Sequence, residues 1–410
     1  MSSFHSLVAL MAVLLSGLSL QAQEISQHAR EAARIIRKLR RIPVPNFEGG
    51  GGDPPARVPN LLRQLNLELR DLIITVLNDP HRGTLADEKM VFEELKKAGW
   101  GDIFRSRWSA YGEISNITFD WLTDHDPPLL VSTTELWVPC GSSDPDASIY
   151  VFEKKGKNWD LILATDANYD SAGHRSDDAM RYVLSPPDQH GKWFLGIANT
   201  QSNCRSNPDE ARFRILRPGP SLENPTILMD RREPIIDRFE APFNVGIDEN
   251  KFSMTLGKER RLDGQLGISI SRFDVQGNQI TRVPPLALNP EDFLDEWVKL
   301  DWSEAAPWSS EPRRIDLEAW HTKLNGLVRD STEFEFVQPC PKQGRDESNW
   351  LIGLWIDQQQ NRNTPDERLY ISISERMGAF FIDGIERTRR SGCPGNTRPP
   401  ILSEPELPSW

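Results

Sequence analysis

The stretch SIYVFEKKGKNWDLILAT, Ser148 to Thr165, decides the fold class. Ser148 to Glu153 and Trp159 to Thr165 are rich in β-branched and aromatic residues, and the Lys154-Lys155-Gly156-Lys157 segment between them is turn chemistry. That is an antiparallel hairpin. Upstream, Ile117, Phe119 and Trp121 alternate with polar neighbours as a half-buried strand requires, and Leu129 to Val138 is a β-rich run ending at Pro139. Downstream, Trp193 to Ala198, Arg212 to Leu216, Thr226 to Met229 and Lys251 to Leu256 read as strands. Gly267 to Val275 and Gln279 to Val283 flank Gln276, Gly277 and Asn278, a second hairpin. No helical period interrupts Asn116 to Val283, so this is an antiparallel β body. A sandwich-like and a barrel-like closure both fit it.

Helices bracket that body, giving a β-rich α+β chain. Leu61, Leu65, Leu69, Leu72 and Val76 form one helical stripe ending near Asn78. After the Asn78 to Gly83 loop, Thr84 with Asp87 resembles a capping box, and Gly99 is expected to stop that second helix. Beyond Pro284 and Pro285, Asn289 suits an N-cap, with Pro290 at the first position and Glu291 and Asp292 in the first turn. Phe293, Trp297 and Leu300 are its expected buried stripe. A helix over Asp316 to Val328 buries Leu317, Trp320, Leu324 and Leu327. Four strands follow, Glu333 to Gln338, Trp350 to Asp357, Leu369 to Ser374 and Ala379 to Glu386. Two helices on a four-stranded antiparallel sheet resemble cystatin-like and nuclear-transport-factor-like folds in element order, an analogy that implies no function.

The expected division is a signal peptide over 1–22, a basic amphipathic helix and Pro/Gly linker over 23–59, a helical lead-in with the antiparallel β domain over 60–288, a smaller α+β domain over 289–398, and an irregular tail over 399–410. The signal rests on the apolar run Leu7 to Leu20 followed by small Ala22, although no basic residue precedes the run. Between residues 24 and 41, Ile25, Ala29, Ala32, Ile36 and Leu39 recur at helical spacing among Arg30, Arg34, Arg37, Lys38, Arg40 and Arg41. Such a helix reads as a solvated lead-in that could meet a membrane surface or an acidic partner. Pro43 to Pro55, with Gly49 to Gly52, reads as linker. The whole chain carries a net charge of -12. Residues 24–41 contribute about +4, so the remainder carries about -16, a body that repels nucleic acid and anionic membrane.

Cys140, Cys204, Cys340 and Cys393 are an even set without C-x-x-C spacing, which in an exported protein implies two disulfides. Of three connectivities, Cys140–Cys204 with Cys340–Cys393 keeps each bond local. The segments ending Pro139-Cys140 and Pro339-Cys340 echo one another. Asp166, Asn168 and Asp170, with Asp177 twelfth from Asp166, place oxygen ligands at calcium-loop spacing. Ser171 stands where the turn glycine belongs and Asp177 where a longer Glu would chelate, so the match is loose and an Asx-rich turn is the bland alternative. His125 and His174 read as exposed loop histidines. Cys204 beside Arg205 reads as a disulfide cysteine, and Asn116 with Thr118 matches a glycosylation sequon. No nucleophile-elbow, phosphate-loop or dinucleotide fingerprint occurs. These readings lead to an exported, non-enzymatic binding or envelope-associated module. The alternative is an extracellular polymer hydrolase with a glycosidase-like carboxylate pair and structural calcium.

Overall fold

The computed structural model describes residues 23–44, 54–80, 87–100, 110–138, 146–165, 178–201, 210–222, 224–234, 243–283, 287, 289–327, 332–340, 348–357, 366–376 and 378–389. Its strands form four antiparallel four-stranded sheets, each a meander in chain order. Between Glu113 and Val283 no described residue is helical, as expected. The chain divides into two compact units at Glu233/Pro234.

In the first unit, β1 (Glu113–Leu122), β2 (Leu129–Trp137), β3 (Asp146–Lys155) and β4 (Asn158–Ala164) form one sheet, and the run Ser148 to Thr165 is its β3–β4 hairpin, with Lys155 paired to Asn158. β2 and most of β3 are buried on both faces, so the two central strands read as nearly continuous apolar runs rather than alternating ones. Leu130, Tyr150 and Phe152 pack with helices on one face. Leu129, Val131, Ile149 and Val151 pack on the other with Leu195 and Ile197 of β6 (Leu195–Gln201) and Leu216 of β7 (Glu210–Ser221). β5 (Asp178–Leu184) and β8 (Asn224–Pro234) complete that second sheet.

Among the described residues the helices of this unit are α1 (described over 23–39), α2 (Arg57–Leu77) and α3 (Glu88–Leu95), which passes into a π turn over Lys96–Trp100 where Gly99, at φ 89, leaves helical geometry as the expected stop. Two expectations change here. The cap of α3 is Asp87 itself, which accepts from Met90 N, because a short carboxylate directly before the first turn reaches its free amide. Thr84 lies outside the described residues. And α1 is no solvated lead-in. Ile25, Ala29, Ala32, Ile36 and Leu39 are buried in the same core as Leu65, Leu69 and Leu72 of α2. Its small alanines let the helix approach closely. So does Gly112, at φ 75, where a Cβ would fall 2.4 Å from Leu39 Cδ1.

In the second unit, β9 (Phe243–Asp248), β10 (Lys251–Glu259), β11 (Leu266–Gln276) and β12 (Gln279–Val283) form one sheet. Then come α4 (Pro290–Lys299), the short α5 (Trp302–Ala305), α6 (Arg314–Asn325), and a sheet of β13 (Thr332–Cys340), β14 (Ser348–Ile356), β15 (Glu367–Arg376) and β16 (Ala379–Glu386). Asn289 caps α4 as expected, its side chain accepting from Asp292 N at 2.8 Å. Phe293, Trp297 and Val298 of α4, with Leu317 and Leu324 of α6, cover Ile352, Leu354, Ile371 and Ile382 of the sheet. The unit begins at Pro234, not at Asn289, so β9–β12 stand with the C-terminal elements rather than with the first β body. The two Pro-Cys echoes also fall on different members of their meanders, after the second strand (β2) in one and at the end of the first strand (β13) in the other.

Candidate functional site

Two polar constellations stand out, one on α4 and one on α1. On α4, Asp292, Asp295 and Glu296 are spaced i, i+3 and i+4, so they share one face of the helix, and all three are buried. Their partners come from the β10–β11 and β12 region. Asp292 accepts from Arg260 Nη1 at 3.3 Å, Ile268 N at 3.2 Å and Asn289 Nδ2 at 2.9 Å. Asp295 accepts from Arg261 N at 2.6 Å, Leu262 N at 3.1 Å and Lys299 Nζ at 2.5 Å. Glu296 pairs with the Arg282 guanidinium and accepts from Ser269 Oγ at 3.2 Å. Arg260 also forks onto Asp263 at 2.9 and 2.8 Å. A Cβ at Gly267 would lie 2.5 Å from Asp292 Oδ1, so β11 can start here only with glycine.

Burial pushes the Asp292 carboxyl above the usual carboxylate range despite Arg260, and burial does the same to Glu291. The β10–β11 turn is tied on by three further links. Leu262 sits in the core of this unit, Thr332 Oγ1 donates to Leu262 O, and the Arg261 guanidinium bonds Asn325 Oδ1 at 3.0 Å and Leu327 O at 3.3 Å. These carboxylates accept from cations and backbone amides of their own unit, an arrangement that clasps a hairpin to a helix. Next to it, His321 of α6 donates Nε2–H to Trp297 O at 3.1 Å and lies 4.9 Å from the Trp297 ring and 5.4 Å from that of Trp302. Burial draws its pKa below the ordinary histidine value.

The α1 constellation is open. At about 100° per residue, Arg30, Arg34, Arg37 and Lys38 of α1 fall within an arc of about 100°, and Arg41 follows in the turn after the helix. The buried Ile25, Ala29, Ala32, Ile36 and Leu39 centre on the opposite side. All five basic residues are exposed, with Gln23 and Gln27 continuing the face toward the helix start. Glu31 bonds Arg34 at 2.7 Å, and that hydrogen bond holds the Glu31 carboxyl below its usual range. Arg40 turns away from the stripe toward Glu113, at 3.5 Å.

The residues singled out from sequence fare unevenly. Asp166, Asn168, Asp170 and Asp177 lie outside the described residues, as do His174, Cys140, Cys204 and Cys393. Among the described residues no group of three or more His, Cys, Asp or Glu side chains is placed to hold a metal ion. Cys340 is disulfide-bonded, and its partner is outside the described set. His125 is no exposed loop residue. It is buried, with Nε2 3.0 Å from Ser185 O and Nδ1 3.2 Å from Asp124 Oδ1, and so pins the β1–β2 loop to the end of β5. Asn116 is exposed on β1, and Thr118 Oγ1 bonds Thr133 Oγ1 at 2.6 Å. Among the described residues no helix is long and apolar enough to cross a membrane. The chain matches no known protein family and no characterised protein.

Proposed function

We propose that this chain is an exported, non-enzymatic binding module associated with the cell envelope, and that it makes contact through the outward face of α1. The observation that carries this reading is the α1 stripe, four exposed cations on a helix whose other side is fixed in the core, continued by exposed Arg41 in the turn that follows. Cations near a helix C-terminus offset the macrodipole, but that effect acts within the last turn, and this stripe runs over more than two turns. On a chain whose remainder carries about -16, a cationic row on a rigid support is suited to recognising an anionic surface.

Export is supported by the apolar run Leu7 to Leu20 before Ala22 and by Cys340 in a disulfide. Cys393 is the expected partner. Arg389, four residues before it, donates to Gln338 Oε1 at 3.4 Å and stands over the Phe336 ring at 5.2 Å, so the chain after β16 runs toward the end of β13.

The test is fractionation followed by binding. The mature chain, beginning near Gln23, is expected in the exported fraction and should be retained on immobilised heparin in a salt-sensitive way. An unprocessed Met1 start in the cytoplasm, or no retention at low salt, would defeat the reading. Turnover of an extracellular polysaccharide by the purified chain would favour the hydrolase alternative.

A further inference from the structure

We infer that the partner of the α1 stripe is the headgroup layer of an anionic phospholipid bilayer, an inference that rests on the binding-module reading and gives it a partner. Two observations select this occupant. The first is charge. Arg30, Arg37, Lys38 and Arg41 stand exposed, and Arg34 shares its charge with Glu31. Glu31 and Glu68 offset Arg34, and acidic charges more than about 10 Å from the stripe are largely screened at 0.1 M salt.

The second is shape. The stripe is one exposed face of a helix, about 12 Å from Arg30 to Lys38 at 1.5 Å per residue, with Arg41 in the turn that follows. The helix is held by Ile25, Ala29, Ala32, Ile36 and Leu39 in the core, so its apolar side is already occupied and is not free to insert between acyl chains. Binding by this face is therefore electrostatic and superficial, unlike that of an amphipathic helix that buries its apolar side in lipid.

The experiment is co-sedimentation of the full mature chain with phosphatidylcholine vesicles, with and without phosphatidylglycerol. Binding is expected only with phosphatidylglycerol present, and to be lost in high salt. Each basic residue near an anionic surface is worth roughly a fivefold change in partitioning, so the Arg37→Gln, Lys38→Gln, Arg41→Gln triple variant should bind about a hundredfold more weakly. The charge-preserving Arg37→Lys, Arg41→Lys variant should bind as the parent does. All three positions are exposed, and an unchanged melting curve verifies that the fold is kept. Parent-like binding by the triple Gln variant, or equal binding to neutral vesicles, overturns the inference. Retention on heparin without vesicle binding also overturns it but leaves the binding-module reading standing. Failure on both surfaces removes the two together.

Discussion

Replacing Asp295 by alanine should unfold the second unit more readily than any change on its surface. Asp295 is 2% exposed and accepts hydrogen bonds from two consecutive backbone amides, Arg261 N and Leu262 N, and from Lys299 Nζ. Truncation leaves the Leu262 amide without an acceptor at a residue that is itself 2% exposed. A buried donor stripped of its partner costs about 1–3 kcal/mol. The Arg261 amide, at a half-buried residue, loses a somewhat smaller amount because water can replace part of the bond, and Lys299 can turn to solvent. The sum is about 2–5 kcal/mol. Asp295→Asn keeps an acceptor oxygen for the amides and loses only the charge on the Lys299 bond, so it should cost about 1 kcal/mol. Urea denaturation followed by tryptophan fluorescence, with hydrogen exchange read at Leu262, measures both variants. At a slope of roughly 1–3 kcal/mol per molar urea, the alanine variant should shift the second unit's midpoint by about 1 M or more. A shift below about 0.3 M, or an asparagine variant as damaged as the alanine one, would refute the clasp.

The remaining expectations are brief. A fragment of residues 234–398 should melt cooperatively and 289–398 should not, because the shorter one deletes Arg260, Leu262 and Arg282 and strands the α4 carboxylates; circular-dichroism melts of the two decide it. Since burial lowers the pKa of His321 below its ordinary 6.5, against the pull of Trp297 and Leu300 carbonyls and of Asp301 and Glu318, its contribution to stability is complete above about pH 6.5 and is lost as pH falls through the lowered value. The parent should therefore lose more stability between pH 7 and 5 than His321→Gln does, and parallel pH profiles would refute this. Non-reducing peptide mapping should join Cys340 to Cys393, and a bond to Cys140 or Cys204 would overturn the path drawn from Arg389.

The sheets were legible because their signals are local. The Ser148 to Thr165 hairpin and the cap at Asn289 each depend on a few adjacent residues and form as read, whereas the strand through Ile117, Phe119 and Trp121 forms with Ile117 buried but Trp121 36% exposed. The grouping of sheets was not legible, because it is set by pairings between residues well separated along the chain. Pro284 and Pro285 look like a boundary in sequence. Yet Arg260–Asp292 and Arg282–Glu296 tie the segments on either side of it into one unit. On α4 only Glu291 and Asp292 stand out in the sequence, as first-turn charges, and the i, i+3, i+4 set of Asp292, Asp295 and Glu296 takes its meaning from its partners. Nothing local to Arg260, Arg261 or Arg282 marks them as its partners. His125 shows the same limit. Flanked by Asp124, Asp126 and Pro127 it looks solvated, and its burial comes from Ser185, sixty residues away.

The contrast between α1 and α4 separates a contact surface from a structural one. Both helices carry a charged face opposite an apolar one, and sequence periodicity alone ranks them alike. On α4 the charges are inside, and Asp292, Asp295 and Glu296 accept from cations and amides of their own unit, so their specificity is spent on the fold. On α1 the apolar side is the one inside, and the cations meet solvent with Glu31 and Arg34 as the ion pair within the stripe. A basic helix with a free apolar side can be explained by solubility or by insertion into lipid. A basic helix whose apolar side is already packed presents its cations in fixed register, and fixed spacing matters to binding an anionic surface far more than to solubility. This is why the Gln-for-cation exchange on α1 should change binding and leave the melting temperature alone, whereas any exchange on the acidic face of α4 should do the reverse.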